Sequence, residues 1–332
     1  MNVAIDAMGG DYAPEEIVKG AVIAARKFPD DNIILVGDRN MILKAEPKPP
    51  PNVLIEHTDE YITMDESPSR AIKKKKRSSM KIAAELVREG KSDAIVSAGN
   101  TGALLETCIL TIGRIKGIRR PALATFFPTK KGHCLLIDSG ANAICKHEYL
   151  VQFARMGSVY MKVVEGIEKP RVGLINIGEE KGKGNKFYRE VFEMMQDEST
   201  INFTGNSEPK DFLGGNVDVA VADGFIGNIV LKSAEAAADL LLSVLREEIK
   251  KSIVAKVTAL ILKPIFRSMK GRLDHSKHGG ALLIGLKGIC IKSHGRADST
   301  AITNAIALAR KLHSHRLVEQ VSKIGAVAQN NL

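Results

Sequence analysis

Glycine, asparagine, aspartate and lysine cluster in this chain wherever an apolar run stops. Asp6 leads into Gly9 and Gly10, and Ser97 into Gly99, Asn100, Thr101 and Gly102. Asp138 leads into Gly140 and Asn142, Asn176 into Gly178, Lys183 and Asn185, and Asp223 into Gly227 and Asn228. Near the end, His294 precedes Gly295. Such residues handle anions. Glycine lets backbone approach a ligand, N–H groups at a helix start favour negative charge, and lysine supplies a full positive charge. Amides and lysines also steady an oxyanion that forms during reaction. Each has a plainer reading: Asn100 or Thr101 as a helix cap, residues 179–185 as a solvated loop, His294 as a structural histidine.

The elements needed to present these residues are legible. Apolar runs such as 33–36, 94–96, 122–127, 135–137, 172–175 and 217–222 alternate with helix-like segments such as 81–90 as far as about residue 245. That rhythm marks βαβ units and a mainly parallel sheet. In open α/β sheets ligands bind beyond the carboxyl ends of strands, so the tips are expected to converge into one polar site. The prolines at 47 and 49–51 mark a loop, because the rhythm resumes at once. No fixed-period repeat is present. A chain of 332 residues can bury a sizeable core, as one large α/β unit or two lobes.

Composition narrows the function. With no Trp and few aromatics, stacking platforms for single-stranded nucleic acid are poorly supplied, and no nucleic-acid partner is expected. The net charge of +10 favours acidic partners or phosphate-bearing ligands. Cys108, Cys134, Cys145 and Cys290 lack metal-ligand spacing and read as reduced thiols of a cytosolic protein. No signal peptide and no membrane-spanning run is expected. Residues 70–77 form a basic run, either a solvated face or a docking surface for an acidic protein. In 246–270, Ile249, Ile253, Val254, Val257, Leu260 and Ile261 recur at helical spacing among lysines. That cationic amphipathic segment suits a membrane interface, the core or a dimer partner.

Familiar signatures are missing. There is no G-x-S-x-G and no H-E-x-x-H, and residues 178–183 are too short for a P-loop. His133 and Asp138 match an H-x4-D pattern, but on a strand that offset puts them on opposite faces, roughly 17 Å apart. A metal-dependent dehydrogenase would need Asp6, Asp11, Asp138 and Asp223 in one cluster, and no nucleotide-binding G-x-G-x-x-G follows a strand.

Residues 6–14, 97–104, 140–142, 153–160, 183–185, 223–228 with 231–232, 279–281 and 294–295 together resemble the bacterial acyl-[acyl-carrier-protein]:phosphate acyltransferases of phospholipid synthesis. Ile144, Pro209 and Arg296 depart from the usual pattern. The resemblance implies a three-layer α/β/α catalytic unit over 1–332, similar to isocitrate and isopropylmalate dehydrogenases and phosphotransacetylases, with 246–270 protruding. It implies reversible acyl transfer from acyl carrier protein to inorganic phosphate without a cofactor or metal. It further implies a homodimer, cytoplasmic and peripherally membrane-attached, whose product feeds a membrane-bound glycerol-3-phosphate acyltransferase.

Expected catalytic residues are Lys183, Asn185, Asn228 and Asp223, with Asp223 orienting Lys183 or Asn228. Expected substrate contacts are Asp6, Gly9, Gly10, Ser97, Gly99, Asn100, Thr101, Gly102, Asn142, Gly227 and His294. Lys73, Lys74, Lys75, Lys76 and Arg77 are the expected carrier-docking residues, and Ile253, Val257, Leu260 and Ile261 the expected membrane contacts. No covalent intermediate is required, since phosphate is already a nucleophile and a thioester already activated.

Overall fold

Alternation of side chains along the strands divides the core into two layers. Val3, Ile5, Val96, Ile137 and Ile291 belong to one buried cluster, whereas Ala4, Ile95 and Cys290 belong to a second and Cys134 and Leu136 to a third. Period-2 apolar strands with both faces covered demand helices on each side, which gives the three-layer α/β/α arrangement. The computed structural model describes residues 1–252, 255, 258–259, 261–265 and 279–330.

The strands are β1 (Asn2–Asp6), β2 (Asn32–Gly37), β3 (Val53–His57), β4 (Ala94–Ser97), β5 (Ala122–Thr129), β6 (Gly132–Ile137), β7 (Arg171–Ile175), β8 (Asn202–Ser207), β9 (Val219–Val221), β10 (Ala281–Ile284) and β11 (Ile289–Lys292). They form one 11-stranded sheet in the order β3-β2-β1-β4-β11-β10-β5-β6-β9-β7-β8. Most pairings are parallel, as expected. The late hairpin β10–β11, unforeseen from the sequence, occupies the middle of the sheet.

That hairpin changes the geometry. β11 is parallel to β4, but β10 is antiparallel to β11, β5 to β10 and β6 to β5. Three inversions leave β6, β9, β7 and β8 pointing opposite to β1, β2, β3 and β4. The registers nevertheless bring the carboxyl ends together: Ile5, Val96, Ile291, Leu282, Ala124, Ile137, Val221 and Leu174 lie in one cross-strand row, which β1, β4 and β11 reach from one direction and β6, β9 and β7 from the other. The strand tips thus meet at one level of the sheet, but from opposite directions, where a uniformly parallel sheet would have had them all point the same way.

On one face lie α1 (Glu15–Lys27), α6 (His147–Glu165), α7 (Lys186–Gln196), α10 (Ser299–Ser314) and α11 (Leu317–Asn330), packed through the first cluster. The other face carries α3 (Pro68–Lys74), α4 (Ser79–Arg88), α5 (Thr101–Thr111), α8 (Pro209–Gly214) and the start of α9 (Gly224–Lys251). α2 (Arg39–Ala45) precedes the proline-rich loop. Because β4 and β9 point oppositely, the helices that follow them, α5 and α9, run in opposite directions over the same face.

α9 runs unbroken for 28 residues to Lys251, so the first part of the cationic segment continues it. Of the expected membrane contacts, Ile253, Val257 and Leu260 lie outside the described residues, while Ile261 is exposed. No described helix is long and apolar enough to cross a membrane.

Candidate functional site

The first half of the site is a row of cross-strand neighbours. Asp6 ending β1 faces Ser97 ending β4, and Ser97 faces Lys292 ending β11. All three are buried on the face that carries α5 and α9. Asp6 accepts from the hydroxyls of Ser97 at 2.7 Å and Ser79 at 2.6 Å. Burial pushes its carboxyl pKa up, while both serines and the Lys292 charge oppose that rise. Lys292 Nζ donates to the carbonyls of Ala98 and Ser293, leaving one of its three hydrogens for another acceptor. Burial lowers its pKa to about 8, with Lys232 of α9 adding repulsion and Asp6 resisting it.

Glycine is obligatory at Gly9, where a Cβ would meet Asp6 Oδ2 at 2.3 Å, and Gly10 combines φ +117° with contact to Gly295 O. Asp11 N donates to Gly295 O at 2.8 Å, tying the 9–11 turn to the 293–295 turn. His294 is exposed there, and its Nδ1 accepts from Arg296 N at 3.1 Å. The structure thus joins Asp6, Gly9, Gly10, Ser97, Gly99 and His294 at the ends of β1, β4 and β11.

The second half gathers at the ends of β6 and β9. Buried Asp138 accepts from the amides of Leu123, Gly140, Ala141 and Asn142 and from Asn142 Nδ2. Burial raises its pKa and those donors oppose the rise. Gly227 presses on this loop so closely that a Cβ would lie 1.9 Å from Asp138 O. Asn228 then stands against Gly140, and among the described residues its amide has no hydrogen-bond partner.

Several expected functional side chains prove to be helix caps. Asn100 caps α5 through Ala103 N, Asn185 caps α7 through Tyr188 N, and Asp223 caps α9 through Phe225 N and Ile226 N. Asn100 spends its amide nitrogen on the carbonyls of Met64 and Glu66. Asn142 likewise gives Nδ2 to Pro121 O and Asp138. Both side chains therefore hold loops. Asp223 does not orient Lys183 or Asn228: its other oxygen accepts from Tyr188 at 2.6 Å, and Lys183 lies 3.7 Å from Glu180 in an exposed loop. That contact with Asp223, after burial, also raises the Tyr188 pKa.

The halves meet beside the start of α5, where Lys292 of the first half and Ala141 of the second line the same recess. Thr101, Leu104 and Leu105 of α5, Leu123, Ala141, Leu283 and Lys292 line one narrow recess. The amides of Thr101 and Gly102 begin α5 with no partner among the described residues. A cation and free helix-start N–H groups thus adjoin an apolar wall. Lys292 escaped the sequence reading because it looks like one more lysine beside His294; its only signal was a charge ending the apolar run 289–291. Asp6 ends β1 and Asp138 follows β6, five places apart in the sheet order, and among the described residues Asp6, Asp11, Asp138 and Asp223 form no common cluster. His133, 3.4 Å from Glu165, takes no part with Asp138.

A family model described as a fatty acid synthesis protein matches residues 1–320. A phosphate acyltransferase of Clostridium perfringens is 44% identical over 326 residues, covering 97% of this chain and 96% of that protein. The chain belongs to the phosphate acyltransferase family. A second member, from Gloeothece citriformis, is 44% identical over 324 residues, covering 96% of this chain and 92% of its own length. As an acyltransferase of this family, the chain also shares its fold with a phosphotransacetylase from Streptococcus pyogenes at TM-score 0.63 and 14% identity, over 94% of each chain. A 4-hydroxythreonine-4-phosphate dehydrogenase from Klebsiella pneumoniae has TM-score 0.53 and 16% identity, over 96% of this chain and 98% of that one.

Proposed function

We infer that this acyltransferase moves a fatty acyl group from the thioester of acyl carrier protein onto inorganic phosphate. A phosphate oxygen attacks the thioester carbonyl, the C–S bond breaks, and the carrier leaves as a thiolate that takes a proton from solvent. The products are acyl phosphate and free carrier. The observation that supports this most is the buried ammonium of Lys292 beside an apolar recess and the open amides of α5. An anion and an acyl carbonyl can meet there.

Lys292 and the Thr101 and Gly102 amides hold the phosphate; Asp6, through Ser97 and its charge, positions that wall. Asn228, whose amide is uncommitted, donates to the carbonyl oxygen as it becomes an oxyanion. Lys183 and Asn185, on the loop and cap beside Tyr188, approach the phosphate from the α9 side when substrate is bound. Glycine turns 9–10 and 294–295 close the phosphate side.

Thiol release from acyl carrier thioester on adding phosphate tests the reaction. Asn228→Ala is expected to lower kcat about 100-fold, the scale for losing one oxyanion donor. Folded Asn228→Ala with near-normal kcat rejects its role. The long α9 is the proposed seat of homodimer and membrane contact, delivering acyl phosphate to a membrane-bound acyltransferase that consumes it.

A further inference from the structure

A cavity of about 760 Å3 opens between the loop after α5 and the first half of α6. Arg114, Arg119, Arg120 and Arg155 line it together with Ile109, Ile118, Tyr149 and Met194. Arg155 is bound to Glu198. The other three arginines are exposed and form no ion pair among the described residues, although Glu148 also stands in the lining. Their surroundings explain this: from Thr107 to Ile137 the chain contains no Asp or Glu at all.

We propose that this arginine-lined cavity is the docking surface for the acidic face of the carrier protein that brings the acyl thioester. The proposal rests on the acyl-transfer reading above. Arg114 donates to the carbonyl of Arg119, while the guanidinia of Arg119 and Arg120 present planar forks to carboxylates, and the apolar floor accepts side chains of an amphipathic helix. Position agrees with charge. The carbonyl of Pro121, which lines the cavity, receives the Asn142 amide at 2.8 Å, and the charge of Arg120 partly opposes the rise that burial gives the Cys145 pKa, so the cavity borders the 138–145 loop of the site. Ile144 in that loop is 91% exposed and Leu110 of α5 is 69% exposed, adding apolar surface on the same side.

The basic run 73–77 competes less well. Lys75 is taken by Glu66 at 2.6 Å and by Tyr61 O, and Lys73 and Lys74 belong to α3.

The test compares Michaelis constants for an acyl carrier thioester with those for the same acyl group on N-acetylcysteamine. Arg119→Glu/Arg120→Glu is expected to raise KM for the carrier thioester at least tenfold and to leave kcat/KM for the small thioester within twofold. Lys73→Glu/Lys74→Glu/Lys76→Glu is expected to change carrier KM less than threefold. Arg119→Gln/Arg120→Gln, gentler on folding, should lose most of the rise in carrier KM that salt causes in the wild type. An unchanged carrier KM in the arginine variants, with wild type active on carrier, overturns the docking surface alone. So does anionic-vesicle binding lost in those variants without a KM change. Wild type active on the small thioester but not on carrier overturns the donor assignment and this surface with it.

Discussion

Lys292 carries the most chemistry for its size. Its ammonium is buried in register with Ser97 and Asp6, and burial brings its pKa down to about 8. Below that pH it is charged and able to hold phosphate; above it the charge is lost. Phosphate KM is therefore expected to rise above pH 8 in the wild type. Lys292→Arg, always charged, should flatten that rise, whereas Lys292→Ala should have a high phosphate KM at every pH. A wild-type profile flat to pH 9.5, followed by thiol release, would exclude Lys292 from phosphate binding. Asn185 poses the opposite question, because its oxygen is already spent as a cap. Asn185→Asp keeps the cap and loses the amide donor, while Asn185→Ala loses about 1 kcal/mol of stability as well. Equal activity in Asn185→Asp and wild type, with urea unfolding unchanged, would reduce Asn185 to a cap.

At the scale of elements, the contact between the 138–142 loop and the start of α9 places Asn228. Asp138 gathers its donors into one tight turn, and Gly227 lets the helix lie directly on that turn. Asp138→Ala would leave several buried amides unsatisfied and should cost about 3 kcal/mol, seen as a lower urea midpoint. Gly227→Ala would force α9 off the loop; both Tm and kcat should drop, with phosphate KM less affected because Lys292 lies on another strand. The positions of these elements were largely legible. The junctions after β1, β4, β6, β7 and β9 were read correctly as strand followed by turn, because apolar runs ending in Gly, Asn or Asp have few other solutions. Whether an Asn or Asp at such a junction caps its helix or faces a ligand was not legible: the same residue types do both.

At the scale of the molecule, the decisive feature is the insertion of β10–β11 between β4 and β5. It reverses the direction of half the sheet, so that the strand tips meet from opposite directions beside the start of α5. It also brings Lys292 beside residues nearly 200 positions earlier. The far part of α9 carries Leu240, Leu241, Val244 and Leu245 exposed. A row of that kind suits a second copy of the helix. On the homodimer proposed above, Leu241→Glu is expected to shift sedimentation from dimer to monomer; a wild-type monomer at micromolar concentration would remove α9 as a dimer seat.

The sequence alone determined the strand and helix rhythm, the glycine turns and the family, because apolar period and turn chemistry are local properties. Tertiary structure alone decided strand polarity, which amides are spent on caps and loops, and which lysine is buried. Those depend on pairings between distant segments, and a buried charge is known only from what surrounds it.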